Sequence, residues 1–213
     1  MKRLIVICEG ETEQEFCKHI LFQHLYSRGI LLEHPLIKRS AGGIGSWDSL
    51  KKQVLGHLNE GGAFVSTFID MYGIKDSYAF PNWVSSKSIT DVKRRMEDVE
   101  LAMEQEINHA NFIGNIVVHE YETLLFSDIS AIERIVPDGE VDMVGLNKII
   151  TSTSDIELIN NGATTAPSKR LEKNIIGYVK TLYGHYIAEE IGLGTIRAKC
   201  VKFDIWISKL ESI

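Results

Sequence analysis

The sequence predicts an α/β protein: a mainly parallel sheet flanked by helices, with a mostly helical C-terminal part. Three observations predict it. Short, continuous, β-branched runs recur at 4–8, 63–70 and 115–119, the pattern of strands buried on both faces. Helical patterns lie between them, as the crossovers of parallel strands require. After residue 128 this alternation ends, and short helical stretches broken by Gly and Asn take over.

The elements follow in order. Leu4 to Cys8 is the first strand. A helix capped by Glu11 or Thr12 runs to about Arg28, with Phe16, Ile20 and Leu25 at core spacing and Gly29 as its stop. A second strand lies in Leu31–Lys38. The Gly-rich turn 40-SAGGIGSW-47 leads into a helix capped by Ser46 and ended near Gly61-Gly62. Residues 63–70, AFVSTFID, form a strand of small, aromatic and β-branched residues. Residues 71–88 form a long loop, Thr90 caps a helix to about Ile107, and 115–119 is a further strand. One domain is expected, with an α/β core at 1–127 and a helical part at 128–213 packed on it.

Composition narrows the function classes. The 44% hydrophobic and 24% charged residues fit a globular protein with a proper core. No apolar run approaches the roughly 20 residues a membrane helix needs. The first strand is too short, and too soon interrupted by Glu9, for a signal peptide. Cys8, Cys17 and Cys200 have no C-x-x-C spacing and are expected as free thiols, the first two in the core. A cytoplasmic protein without membrane contact is expected. A formal net charge of −6 excludes coating nucleic acid by charge alone. The charge is uneven: residues 166–213 hold 8 Lys and Arg against 5 Asp and Glu, and residues 1–165 hold 15 against 24. An acidic front and a mildly basic tail suit a metal site beside a phosphate-contacting surface; solvated tail helices give the same pattern.

Carboxylates close three of the strands. Cys8 leads to Glu9, Ile69 to Asp70, and Val118-His119 to Glu120 and Glu122. The C-terminal ends of parallel strands share one edge, where such folds place ligands. Clustered carboxylates raise one another's pKa unless a cation offsets them. With no Cys/His ligand set at these strand ends, the cation is hard and oxygen-seeking: Mg²⁺ or Mn²⁺. Such ions serve phosphoryl chemistry by activating water and stabilising the leaving oxygen.

The strings VICEGETEQEF and TFIDMYG resemble the Toprim fold of topoisomerases, primases and OLD-type nucleases, which carries a Glu after its first strand and a D-x-D after a later one. More closely, the chain resembles a Toprim-like bacterial family known as a numbered domain of unknown function. Its motifs appear here as 9-EGETE-13, 70-DMYG-73, 119-HEYETLLF-126, 167-PSKRL-171 and 191-IGLGTIRAKCVKFDIW-206. The resemblance implies a Toprim-like sheet, Glu9 as general acid/base or metal ligand, and Asp70 as the first acid of the D-x-D. Tyr72 stands where the second acid belongs, and Glu120 or Glu122, or less simply Asp76, takes its place. It also implies kinship with OLD-type nucleases and an AAA-type ATPase partner in phage defence.

Glu9, Asp70, Glu120 and Glu122 are thus the candidate metal ligands, the first three also catalytic, with His119, Glu13 and Tyr72 beside them. Ser168, Lys169 and Arg170, joined by Lys180, Arg197 and Lys199, are the candidate nucleic-acid contacts, DNA or RNA alike. Simpler readings stand beside these. Glu11, Glu13 and Glu15 suit the first turn of a helix, and His119 is equally a core histidine. H-E-x-x-H is broken by Thr123, which excludes that zinc-protease motif. Residues 42-GGIGSW-47 lack the nucleotide-binding P-loop pattern. Trp206 and Phe203 read as core, and Tyr72 and Trp83 either stack on bases or are buried. Tyr72 and Tyr121 stay open as nucleophiles, and a homo-oligomer stays open. The expected activity is Mg²⁺-dependent phosphodiester hydrolysis by an effector of an ATPase; the alternative is a non-catalytic subunit of such a complex.

Overall fold

The computed structural model describes residues 1–38, 43–160, 162 and 164–213. A five-stranded sheet of order β2-β1-β3-β4, with β5 also on β3, forms the centre. Its members are β1 (Lys2–Cys8), β2 (Ile30–Glu33), β3 (Ala63–Asp70), β4 (Phe112–Ile113) and β5 (Ile116–Val117). Every pairing is parallel, as the buried β-branched runs predict. Alternation along β1 divides the interior in two. Leu4, Val6 and Cys8 face one core, and Ile5 and Ile7 face the other.

The second core is closed by α3 (Trp47–Asn59) and α4 (Val92–Ile107). The first is closed by the helix after β1 and by most of the C-terminal part. That part comprises α5 (Ile129–Ile135), α6 (Met143–Thr151), α7 (Pro167–Asn174), α8 (Lys180–Ile191), α9 (Leu193–Lys199) and α10 (Val201–Glu211). Leu171, Ile187, Ile196, Phe203 and Trp206 share one cluster with Leu4, Val6 and Phe16. Trp206 packs on Phe68, and its indole N–H donates to Ser66 Oγ at 2.9 Å, so burying this large ring strands no donor.

Local chemistry moves several boundaries. The helix after β1 is α1 (Glu11–Phe16), a wider π-turn (Cys17–Leu21) and α2 (Phe22–Tyr26). Its cap is Gly10, not Glu11 or Thr12, and the Glu13 carboxylate accepts from the Gly10 amide. Gly29 ends it at φ 77°. β2 is shorter than predicted because Pro35 interrupts it, and Leu36 only bridges to Cys8. Ser46 precedes α3 without a side-chain capping bond, while residues 40–42 of the Gly-rich turn lie outside the described residues. Asp91, not Thr90, caps α4 by accepting from the amides of Lys93 and Arg94. Of the run predicted at 115–119 only β5 is strand, and β4 lies just before it; the two are parted where Thr67 and Asn115 exchange hydrogen bonds of 2.8 and 3.1 Å.

Cys8, Cys17 and Cys200 are buried free thiols. No helix of the described residues is long and apolar enough to cross a membrane.

Candidate functional site

The parallel register of β1, β3 and β5 brings Glu9, Asp70 and the segment from His119 to Glu122 to one edge of the sheet. Glu9 continues the ladder, donating its amide to Phe68 O at 3.0 Å. Its side chain then turns back, and Oε2 accepts from the Asp70 amide at 2.9 Å. Asp70 Oδ1 in turn accepts from the Tyr121 amide at 2.9 Å. Glu120 Oε2 accepts from the Ser168 amide at 3.0 Å, joining α7 to the edge. Glu122 is buried and pairs with Lys180 Nζ at 3.0 Å. The helix after Glu9 carries Glu13 back toward the same place, 5% exposed.

The electrostatics express the convergence of these acids. Burial, together with the charges of Glu13, Glu9, Glu122 and Glu120, holds the Asp70 carboxyl well above the usual range. Burial, with Glu9 and Glu122, lifts Glu13 to about 7 against the lowering effect of its backbone hydrogen bonds. Burial raises Glu122, which Lys180 only partly offsets. Lys180 is held charged against its own burial by Glu122, Glu120 and Asp70. The site is therefore a buried cluster of carboxyl groups that resist ionising together, with Lys180 paired into it.

Gly73 completes the geometry. A Cβ there would lie 2.6 Å from Glu9 Oε1, so the glycine of 70-DMYG-73 makes room for the Glu9 carboxylate. Gly10 has an extended backbone that any residue adopts, φ −143°. Its missing side chain leaves space for Glu13 Oε2, which would sit 3.3 Å from a Cβ.

His119 adopts φ 67°, a strained value for a histidine. Its ring is buried, and burial lowers its pKa to about 4, so it is neutral at pH 7. Nδ1 lies 3.1 Å from Asn160 Nδ2, which also reaches the Tyr72 hydroxyl. Tyr72 further donates its amide to His119 O at 3.1 Å, so the three residues form one polar cluster beside the acids. Asn160 carried no signal in the sequence, because it enters from the C-terminal part.

A family model described as a domain of unknown function, DUF4276, matches residues 8–211. The chain belongs to the DUF4276 family. No curated protein and no solved structure matches it.

Four of the five motifs quoted from this DUF4276 chain meet at or directly beside the acidic edge: EGETE, DMYG, HEYETLLF and PSKRL. The fifth, IGLGTIRAKCVKFDIW, largely builds the core through Ile191, Ile196, Cys200, Phe203 and Trp206. Tyr121 is excluded as a nucleophile, being fully buried with its hydroxyl donating to Gly184 O at 3.1 Å. Asp76 lies with Lys87 and the Trp83 indole rather than with Asp70. Trp83 is buried, with the Arg95 guanidinium 4.5 Å from its ring, which leaves no face for a base.

The basic residues separate into groups. Ser168 is buried and meets Glu120 through its amide. Lys169 is exposed beside Glu172, and Arg170 donates to Thr165 O at 2.7 Å. Both line a cavity with Lys148 and Lys173 between α6 and α7. Lys180 belongs to the acidic edge itself. Arg197 is taken by Asp204 and Glu211. Glu211 also meets His24 and Arg28 near the end of α2, at the opposite edge of the sheet. Lys199 is exposed at the end of α9.

Proposed function

We propose that this DUF4276 protein is a Mg²⁺- or Mn²⁺-dependent, Toprim-like phosphodiesterase acting on nucleic acid, an effector partner of an AAA-type ATPase in phage defence. The observation that carries the reading is the gathering of Glu9, Asp70, Glu120, Glu122 and Glu13 at one strand edge, where burial and like neighbours raise the pKa of Asp70, Glu13 and Glu122. Like charges are gathered there at a cost that a bound cation relieves. The donors are carboxylate oxygens, the set that hard divalent ions prefer. Glu9, Asp70 and Glu120 would hold the ion, with Glu122 beside them. When bound, it supplies the positive charge that activates water and stabilises the leaving oxygen of a phosphodiester.

The chain's own residues supply position. Gly73 and the Asp70 amide fix Glu9. Tyr121 fixes Asp70, and the start of α7 fixes Glu120. Neutral His119 accepts hydrogen bonds and bears no charge toward a phosphate. Lys169 and Arg170, just beyond Ser168, steady the nucleic-acid backbone. The test compares Mg²⁺- and Mn²⁺-dependent cleavage of DNA and RNA by wild type and Glu9→Gln, with and without a partner ATPase. Cleavage lost in Glu9→Gln is expected; equal cleavage by both, or none under any condition, removes the enzymatic reading.

A second reading has its own observation. Among the described residues, no three carboxylates of the acidic edge bring ligand atoms all within 4.8 Å of one another, and Tyr72 replaces the second D-x-D acid. A non-catalytic subunit that keeps the Toprim shape and serves an ATPase complex accommodates both facts. Metal-independent association with the ATPase, without cleavage, identifies it.

A further inference from the structure

We propose that Glu15, His19 and His185 form a second cation site, for a transition metal of the zinc class, on the outer side of the helix that follows Glu9. Among the described residues, these three offer ligand atoms that all lie within 4.8 Å of one another. Glu15 and His19 are four residues apart on one helical face, with Oε2 and Nε2 separated by 2.9 Å. His185 comes from α8, and its ring stacks on His19 with centroids 4.9 Å apart. Gly184 allows this approach, since a Cβ there would stand 3.1 Å from Thr12 Cγ2.

His185 is already in a ligand's tautomer. Its Nδ1 lies 3.2 Å from Thr181 O. A carbonyl can only accept, so Nδ1 carries a proton, and Nε2 is the nitrogen left to ligate. A backbone carbonyl holding the far nitrogen is the support that metal-binding histidines ordinarily have. His185 is 9% exposed while His19 faces solvent, so the ring is held and the site stays reachable.

Two imidazoles and one carboxylate select a borderline ion such as Zn²⁺, with water as fourth ligand, over Mg²⁺. Zinc bonds of roughly 2.0–2.2 Å place tetrahedral ligands about 3.4 Å apart, so Glu15 Oε2 and His19 Nε2, now 2.9 Å apart, open slightly and exchange their hydrogen bond for the ion, while any wider gap in the trio closes. Lys18, now 3.2 Å from Glu15 Oε2, is displaced. The ion would tie α8, which delivers Lys180 to Glu122, to the helix that carries Glu13. It is distinct from the acidic edge in residues and in metal preference.

The test is calorimetric titration of ZnCl₂ into the metal-stripped full chain, with thermal unfolding in parallel. Expected are one equivalent of Zn²⁺, a raised Tm, and no displacement by millimolar Mg²⁺. His19→Ala and His185→Gln should each weaken binding at least tenfold and remove the Tm shift, while Glu9→Gln leaves both intact. His19 is exposed, so His19→Ala reports on binding without a folding defect, checked by circular dichroism. Absence of stoichiometric Zn²⁺ in wild type, undiminished binding in both histidine variants, or loss in Glu9→Gln overturns the proposal.

Discussion

The carboxylate of Glu9 accepts a hydrogen bond from the backbone amide of Asp70, 2.9 Å away and 61 residues on in sequence. Without it, the last amide of β3 would face the sheet edge unpaired. The bond locks the ends of β1 and β3 together and holds Glu9 and Asp70 at one place, whatever that place binds.

Gly73→Ala tests this arrangement. The new Cβ would stand 2.6 Å from Glu9 Oε1, and the end of a flexible side chain moves more easily than backbone. Glu9 should therefore leave the Asp70 amide. The stability cost should be about 1 kcal/mol, that of one hydrogen bond, but metal-dependent activity should fall at least as far as in Glu9→Ala. Denaturant titration and cleavage assays of Gly73→Ala, Glu9→Ala and the double variant check it. In the double variant the clash is gone, so the two stability losses should not add.

Glu13 makes stability depend on pH. Burial and its acidic neighbours raise it from 4.5 to about 7. A carboxyl with a raised folded pKa binds its proton more tightly in the native state. Its contribution is full below about pH 4.5, declines between 4.5 and 7, and is lost above. The swing is up to about 3 kcal/mol. Glu13→Gln keeps an acceptor for the Gly10 amide and removes the titration. Urea unfolding at pH 5 and pH 8 should show a smaller loss across that interval in Glu13→Gln than in wild type.

The sequence made the strand edge legible because its signals are local. Glu9 and Asp70 directly follow apolar runs, Glu120 follows one with only His119 between, and parallel topology does the rest. Glu13 was harder, since a first-turn acid and a buried acid look alike in sequence. Here one carboxylate is both, capping Gly10 while entering the cluster. Lys180 and Asn160 belong to the C-terminal part, where only tertiary packing decides which polar groups turn inward. Arg197 looked like its basic neighbours until Asp204 and Glu211 were placed against it.

Asp70→Asn separates the cost of the acidic edge from its use. Asparagine keeps an oxygen for the Tyr121 amide and removes a buried carboxyl that four neighbours disfavour in its charged form. At pH 8 without divalent ions, the variant should be at least as stable as wild type. Millimolar Mg²⁺ should raise the wild-type Tm by a few degrees, about 2–4 °C per kcal/mol for a chain of this size, and leave Asp70→Asn unmoved. A wild-type Tm indifferent to Mg²⁺ and Mn²⁺ would remove the metal from the acidic edge.

Lys202→Met probes how the C-terminal part is held on the sheet. Lys202 Nζ is buried, pairs with Glu100 and donates to Ile116 O at 2.8 Å. Glu100 Oε1 also accepts from the Ile116 amide at 2.6 Å. Burial already raises the Glu100 pKa, with Lys202 opposing that rise, so losing the ammonium leaves an uncompensated carboxylate. The expected loss is about 3–5 kcal/mol, larger at pH 8 than at pH 5, because at low pH Glu100 can take up a proton. Adding Glu100→Gln, which keeps the acceptor for Ile116 without the charge, should recover much of that loss. Chemical unfolding of both single variants and the double variant at the two pH values measures it. Equal losses at both pH values would mean that Lys202 contributes packing rather than charge.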